Sequence, residues 1–241
     1  MRYLALASDY DGTLAQDSHV SDEARAAIER LKASGRKLIL VTGREVPELE
    51  SVFPDYKLCD AIVAENGALL VWPAEGREEI LGEPPSEAFL TEIVRRGVKP
   101  CSVGKVIFAT WRPHEATVLD VIQTMGIEYH IVFNKRAVMV LPSGINKATG
   151  LAKVLERMQL TPASIVGVGD AENDHAFLES CAVAAAVDNA LPALKQRCDI
   201  VLSRDHGGGV ADLIDRILAD DLQSLGARRP RKELVAQTAP N

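Results

Sequence analysis

Apolar and polar segments alternate along the first part of the chain. The apolar runs Tyr3–Ala7, Leu38–Val41 and Ala61–Ala64 each stop at polar or turn-forming residues, and apolar residues at helical spacing occupy the stretch Ser21–Ser34. Short apolar runs bounded by turn signals are typical of buried strands, and strands that alternate with helices favour parallel pairing. The pattern therefore predicts an α/β fold built on a doubly wound parallel sheet with helices on both faces.

The pattern changes after the breaker sequence Gly82-Glu83-Pro84-Pro85. The segment that follows predicts a helix, a strand, a second helix and two consecutive strands, and Pro142-Ser143-Gly144 closes it. These elements are predicted at 86–96, 105–110, 113–125, 129–133 and 136–141. Residues 85–142 are therefore predicted to form a small inserted α+β unit.

The parallel pattern then resumes toward the end of the chain. The predicted elements are a helix at 147–158, a strand at 164–168, a helix at 174–180, a strand at 182–186, a helix at 190–196, a strand at 200–202 and a last helix at 210–218. Gly207-Gly208-Gly209 is predicted to be a hinge into that helix. Residues 1–84 and 143–226 are thus expected to form one core, followed by a linker-like or disordered tail at 227–241.

Composition limits the classes of function. The chain has 241 residues, 47% of them hydrophobic, and a net charge of −7. Nucleic acids favour basic surfaces, so a nucleic-acid partner is not expected. No apolar run approaches the roughly 18 residues of a membrane helix, and no leader pattern follows Met1, so we expect no membrane contact and a cytoplasmic location.

The cysteines do not form a metal-binding pattern. Cys59, Cys101, Cys181 and Cys198 include no C-x-x-C pair and no histidine at zinc spacing. We expect them to be buried thiols in a reducing compartment.

Four polar motifs lie where predicted strands end or helices begin. They are Asp9-Tyr10-Asp11-Gly12-Thr13, Thr42-Gly43-Arg44, Lys147 at a helix start, and Gly169-Asp170-Ala171-Glu172-Asn173-Asp174. Ligands of open α/β sheets bind at the carboxyl ends of the strands, so these motifs are predicted to converge. The resulting site would hold several carboxylates, a hydroxyl group and an ammonium group.

The charges in such a site require a cation. Asp9 and Asp11 would repel each other unless a positive ion lies between or beside them. Oxygen ligands without cysteine or histidine favour Mg²⁺ over zinc, and protein-bound Mg²⁺ commonly shares its coordination with a substrate phosphate. The sequence therefore predicts a Mg²⁺ site that also binds a phosphate group.

A carboxylate in this setting can attack phosphorus and form an acyl phosphate. The metal, Lys147 and the Thr42 hydroxyl would offset the repulsion between the two anions. The second acid lies two residues from the first and therefore points to the same strand face, as the period of two requires. It could protonate the leaving alcohol and later activate water.

At these residues the chain resembles the haloacid dehalogenase superfamily. The four motifs occur in the family's order over about residues 3 to 218. An insert after the third strand, preceded by Glu65-Asn66-Gly67-Ala68, is similar to the branch of Cof-like and archaeal phosphoglycolate-phosphatase-like enzymes. The resemblance implies a Rossmann-like core and an α/β cap, inserted after the third strand, that closes over the site.

The resemblance also implies roles in the reaction. Asp9 would be the nucleophile and Asp11 the general acid and base, while Thr42 and Lys147 would bind the phosphate. Phosphatases and phosphomutases of this superfamily carry the second acid, whereas its dehalogenases and P-type pumps lack it.

The metal ligands are implied in the same way. Asp9, the backbone carbonyl of Asp11, and Asp170 would bind Mg²⁺, with Asp174 supporting them. Asn173 is expected at either the metal site or the phosphate.

Two weaker candidates concern the rest of the substrate. Gly43 and Arg44 are candidates for substrate binding, although Arg44 also fits a surface or helix-start position. In the insert, Trp111-Arg112-Pro113-His114 could contact the far end of the substrate or be only a strand exit and helix start.

The sequence thus predicts a Mg²⁺-dependent phosphatase acting through an aspartyl-phosphate at Asp9 on a small phosphorylated metabolite, such as a sugar phosphate or phosphoglycolate. A phosphomutase would share the first step. A receiver-type signalling module and a phospho-sensing domain of a larger protein, with a further domain beyond the tail, are the alternatives from other classes. A monomer or a homodimer is expected.

Overall fold

The structure is a computed structural model that describes residues 1–225. The tail predicted at 227–241 lies outside the described residues. The strands of the described part are β1 (Ala5–Asp9), β2 (Lys37–Val41), β3 (Ala61–Ala64), β4 (Leu69–Trp72), β5 (Arg77–Ile80), β6 (Cys101–Val103), β7 (Phe108–Trp111), β8 (Tyr129–Asn134), β9 (Ala137–Pro142), β10 (Ile165–Gly169), β11 (Val183–Ala186) and β12 (Ile200–Val201). Its α-helices are α1 (Asp22–Ala33), α2 (Val46–Val52), α3 (Glu87–Arg95), α4 (Glu115–Met125), α5 (Lys147–Arg157), α6 (His175–Ser180), α7 (Pro192–Lys195) and α8 (His206–Asp220).

Eight of these strands form the large sheet, in the order β12-β11-β10-β1-β2-β3-β4-β5. From β12 to β3 neighbouring strands are parallel, and the chain winds in one direction through β2 and β3 and in the other through β10, β11 and β12. The predicted doubly wound α/β fold is confirmed. The winding reverses between β1 and β10, which is where sheets of this type open a crevice for ligands.

The sequence analysis did not predict β4 and β5. They extend the large sheet as an antiparallel hairpin on β3. Leu69–Trp72 is a buried apolar run, but Arg77–Ile80 is an edge strand of mostly exposed residues, with no buried face to produce an alternating pattern.

Helix α1 shows how local sequence sets an element. The Ser21 side chain accepts a hydrogen bond from the Ala24 N–H, which caps the helix. Two acids in its first turn interact favourably with the positive end of the helix dipole. The apolar face that includes Ile28 and Leu31 is buried, and α1 packs against α8.

The predicted start of the last helix was wrong. Helix α8 begins at His206, so Gly207–Gly209 lies in its first turn and is not a hinge that precedes it. A Cβ atom at Gly207 would lie 2.8 Å from the Leu14 carbonyl oxygen and 2.9 Å from the Ala24 Cβ. Glycine is needed here because the start of the helix approaches its neighbours too closely for a side chain.

The remaining four strands form a small antiparallel sheet in the order β6-β7-β9-β8. It lies within the predicted insert, and α3 and α4 share with it a separate apolar cluster that includes Phe89, Phe108 and Val118. Strand β6 was not predicted, and β7 lies at Phe108–Trp111, later than the 105–110 strand in the prediction. Because β6 is an exposed edge strand, Cys101 is exposed, unlike the buried Cys59, Cys181 and Cys198. The bounds of 85–142 stay a prediction.

No helix within residues 1–225 combines the length and the apolar character that crossing a bilayer requires.

Glu65 connects the large sheet to the segment that leads into β7. It is buried directly after β3, and its carboxylate accepts backbone N–H hydrogen bonds from Lys105 (2.8 Å), Val106 (2.8 Å) and Ile107 (2.9 Å). A Cβ atom at Gly104 would lie 2.7 Å from the same carboxylate, so the chain needs glycine there. One buried acid thus fixes the base of the small sheet.

We expect Glu65→Ala to lower the free energy of unfolding by about 2 to 4 kcal/mol, because three backbone N–H groups would lose a charged acceptor. Urea denaturation measures the change. Glu78→Ala is the matched control, since Glu78 pairs with Lys105 at the surface and should change stability by less than about 0.5 kcal/mol. Equal effects of the two substitutions would contradict this role of Glu65.

Candidate active site

The carboxyl ends of β1 and β10 bring two acids together. Asp9 is the last residue of β1, and Asp170 directly follows β10, its parallel neighbour. Both side chains are buried, with relative exposures of 3% for Asp9 and 1% for Asp170. Thr42, also buried, follows β2 on the other side of β1, and its N–H donates to the Val63 carbonyl oxygen at 2.8 Å.

Lys147 is the first residue of α5. The Asn146 side chain caps this helix by accepting the N–H groups of Ala148 and Thr149. Lys147 is 1% exposed, and its Nζ donates to Asp9 Oδ1 at 2.5 Å and to Asp174 Oδ1 at 2.7 Å. A cation at a helix N-terminus is opposed by the helix dipole, so these two carboxylates are what stabilise it.

Asp174 organises the loop after β10. Its Oδ1 accepts a hydrogen bond from the ammonium group of Lys147. Its Oδ2 accepts hydrogen bonds from the backbone N–H groups of Asp170 at 2.9 Å and Ala171 at 3.0 Å. Asp170 is held further by the Thr13 hydroxyl, which donates to its Oδ1 at 3.1 Å. The acid that the sequence placed in a supporting role thus fixes the backbone of its neighbour.

Lys135 adds a second ammonium group, which the sequence analysis missed. It lies between β8 and β9, and its Nζ is 2.9 Å from Asp170 Oδ2. No local motif marks it, because its contact with Asp170 depends on how the small sheet lies against the large one.

The charges of these groups perturb one another. Burial raises the pKa of Asp9, Asp174 raises it further and Lys147 lowers it, so that it lies well above its ordinary range. Burial also raises the pKa of Asp170, against the hydrogen bond from Lys135. For Lys147, burial lowers the pKa, but the two carboxylates outweigh burial and the pKa is raised.

The acid cluster, defined as Asp9, Asp170 and Asp174, fits a divalent cation. One carboxylate oxygen of each acid lies within 4.8 Å of the others, and all three residues are buried. Three carboxylates and two ammonium groups leave one negative charge, which an incoming phosphate dianion would increase. A donor set of oxygens alone suits a hard cation such as Mg²⁺.

Asp11 stands apart from this cluster. Strand β1 ends at Asp9, so the expectation that both acids share one face of an extended strand does not hold. The Asp11 carboxylate instead accepts hydrogen bonds from Arg44 Nε at 2.8 Å and Nη2 at 2.7 Å. The chain turns at Gly12, whose φ of +88° favours glycine, and a Cβ atom there would lie 2.5 Å from Asp170 Oδ2.

Asn173 and Asn66 form a second polar pair. Asn173 Nδ2 donates to Asn66 Oδ1 at 3.0 Å, and the Asn66 N–H donates to the Thr42 carbonyl oxygen at 2.9 Å. Within residues 1–225, Asn66 Nδ2 and Asn173 Oδ1 are buried without a hydrogen-bond partner. Asn66 was not among the predicted site residues, although its place just after β3 resembles that of the other polar motifs.

A cavity of about 530 Å³ lies between the two sheets beside these residues. Asp11, Gly43 and Arg44 line it from the large-sheet side, and a Cβ atom at Gly43 would lie 3.2 Å from Met139 Sδ of the small sheet. Lys135 also lines this cavity.

Of the tetrapeptide at residues 111–114, only Trp111 lines the cavity. Arg112 lies over the Phe133 ring at 4.9 Å, and His114 Nε2 is 2.8 Å from the Lys99 carbonyl oxygen. Arg112 and His114 thus fit the second expectation, that this tetrapeptide is only the exit from a strand and the start of a helix.

The chain is similar to known proteins in sequence and in fold. The sequence profile of the haloacid dehalogenase-like hydrolases matches residues 6–96 and 130–214. A phosphoglycolate phosphatase of Methanothermobacter thermautotrophicus is 31% identical over 225 residues, covering 89% of this chain and 98% of that protein. Phosphoglycolate phosphatase 2 of Saccharolobus solfataricus is 28% identical over 222 residues, covering 90% and 93%. The crystal structure of a haloacid dehalogenase-like hydrolase from Bacteroides thetaiotaomicron superposes with a TM-score of 0.75 at 19% identity, covering 89% and 99%.

Together, the α/β fold, the acid cluster with its buried lysine and these relatives define an enzyme of the phosphatase class. The chain belongs to the haloacid dehalogenase-like hydrolase family. The receiver-type alternative is thereby set aside.

We expect Lys147→Met to lower the free energy of unfolding by about 3 to 5 kcal/mol in the presence of a chelator, because Asp9 and Asp174 would lose the cation that they share. Chemical denaturation monitored by circular dichroism measures it. Lys153→Met on the same helix is the control, because Lys153 is exposed and its one ion pair within residues 1–225 is with Glu156 at the surface. A loss no larger than that of the control would show that the buried ion pairs contribute little.

Proposed function

We propose that this enzyme hydrolyses a small phosphate monoester with Mg²⁺, through an aspartyl-phosphate formed on Asp9. The observation that carries the proposal is the position of Lys147, buried between Asp9 and Asp174 with Asp170 alongside. A buried ammonium group beside a carboxylate can hold that carboxylate and also neutralise charge on an entering phosphate.

Asp9 is the proposed nucleophile. Its Oδ1 accepts the hydrogen bond from Lys147, which orients the carboxylate and leaves Oδ2 to attack phosphorus. The Thr42 hydroxyl would donate a hydrogen bond to a phosphate oxygen. Its Oγ1 already accepts a hydrogen bond from the Arg44 N–H at 3.1 Å, so the hydroxyl hydrogen is directed elsewhere. Asn173 and Asn66 supply further polar atoms on this side of the site.

Asp11 is the proposed general acid and base. It lines the cavity that would receive the leaving group, so it can protonate the departing alcohol and then take a proton from the attacking water. Arg44 would position Asp11 through its two hydrogen bonds.

Asp9, the backbone carbonyl of Asp11, and Asp170 are the proposed Mg²⁺ ligands. Asp174 would support these ligands without binding the metal directly, because its two oxygens accept hydrogen bonds from Lys147 and from two backbone N–H groups. When bound, Mg²⁺ supplies positive charge and orientation for the phosphate oxygens.

The relatives named phosphoglycolate phosphatase favour a short phosphorylated acid as the substrate. The cavity of about 530 Å³ has room for a small leaving group. We propose phosphoglycolate or a similarly small ester, and we propose that residues 85–142 act as the cap that covers the site.

Asp9→Asn should reduce the release of inorganic phosphate from phosphoglycolate by at least about 10³-fold, because an amide is a poor nucleophile. A phosphate assay with Mg²⁺ measures it, and circular dichroism checks that the variant folds. Asp17→Asn is the control, since Asp17 is an exposed acid of the same loop and should retain activity. Undiminished turnover by Asp9→Asn would refute the proposed nucleophile.

Excess chelator should abolish phosphate release, and Mg²⁺ should restore it. Mg²⁺ should also raise the melting temperature, because a ligand at 100 times its dissociation constant adds about 2.7 kcal/mol of stability. Asp170→Asn should lose this thermal shift, whereas Asp188→Asn, which removes an exposed acid, should keep it. Full activity in excess chelator would exclude the metal from the reaction.

A further inference from the structure

The tip of the hairpin between β8 and β9 carries two adjacent cations, Lys135 and Arg136. Asn134 pairs with Ala137, so these two residues alone form the turn. Both are exposed, and both line the cavity between the sheets.

Lys135 also reaches the acid cluster. Its Nζ lies 2.9 Å from Asp170 Oδ2, and a Cβ atom at Gly12 would come within 2.6 Å of the same nitrogen. Its backbone N–H contacts Glu172 Oε2 at 3.4 Å, at the edge of the loop after β10. The small sheet thus places a positive charge that both lines the cavity and contacts Asp170.

The other cations of the cavity are less able to take this place. Arg44 is engaged with Asp11, Glu48 and Ser18. Arg136 forms no ion pair with any residue in 1–225, the acids of the cluster included.

Lys135 is not fixed by burial. Its side chain is 53% exposed, and Asp170 has a second donor in Thr13. Because Asp170 is also a proposed metal ligand, its charge would be shared with the metal in the working enzyme. The ammonium group is then available to an anion of the substrate.

We propose that Lys135 is a specificity-determining residue that binds the carboxylate of a short phosphorylated acid. The inference rests on the proposed function, in which the phosphate lies at Asp9. In phosphoglycolate a single methylene group separates the ester oxygen from the carboxylate carbon, so the carboxylate must stay close to the acid cluster. Lys135, which lines the cavity and contacts Asp170, can reach it there.

Lys135→Gln should lower kcat/KM for phosphoglycolate about 10- to 100-fold, mostly through KM, because one charge-assisted hydrogen bond is lost. Ethyl phosphate has no carboxylate, so its kcat/KM should stay within about twofold. Lys135→Arg should recover much of the activity on phosphoglycolate. An equal loss on both esters would place Lys135 at the phosphate or the metal and would overturn the proposal.

Arg136→Gln is the matched control, since it removes one charge from the same turn without touching the acid cluster. It should change kcat/KM for phosphoglycolate by less than about threefold. Losses of equal size in both variants would indicate a general electrostatic field and would also overturn the assignment to Lys135.

Calorimetric binding in Mg²⁺ separates this inference from the proposed function. The wild type should bind 3-phosphonopropanoate, which has a carboxylate, more tightly than propylphosphonate, and Lys135→Gln should weaken only the first. This comparison holds even if the wild type hydrolyses neither ester, which would refute the proposed function alone. Unchanged binding of 3-phosphonopropanoate by Lys135→Gln would refute the role of Lys135.

Discussion

A buried ammonium group shared by two buried carboxylates is the interaction on which the site depends. Lys147 joins the end of β1, through Asp9, to the loop after β10, through Asp174. Removing one partner would leave an uncompensated charge in the interior, which costs several kcal/mol. The sheet, the start of α5 and the loop that holds Asp170 are therefore fixed relative to one another by one side chain, and Asp9 is oriented as a result.

Much of the fold could be predicted because its signals are local. The cap and apolar face of α1, the run that forms β3 and the polar residues after β1, β2 and β10 each lie within a few consecutive residues. Predictions failed where position in the sheet decides the outcome. The edge strands β5 and β6 lack a buried face, and position 207 needs glycine because the first turn of α8 lies close to Leu14 and Ala24.

The site could likewise be predicted only where its signals are local in the sequence. Asp9, Lys147, Asp170 and Asp174 lie together, whereas Asp11 lies apart with Arg44, and the roles of all of them stay predictions. What the sequence could not indicate are contacts between distant segments: Lys135 with Asp170, Glu65 with the backbone before β7, and Arg44 with Asp11. The first two depend on how the two sheets lie against each other, and the third depends on how the loops after β1 and β2 lie side by side. No periodicity encodes either arrangement. The pairing of Arg44 with Asp11 also shows why a period of two fails beyond the last residue of a strand.

The attachment of the small sheet has a consequence for how such an enzyme can diversify. Glu65 holds the base of the sheet through hydrogen bonds from three backbone N–H groups. These hydrogen bonds do not involve the side chains of Lys105, Val106 and Ile107. The turn at Lys135 lies at the opposite end of the strands. Substitutions in that turn can alter substrate preference while the anchor and the acid cluster stay intact, so selectivity and chemistry can evolve as separable traits of one chain.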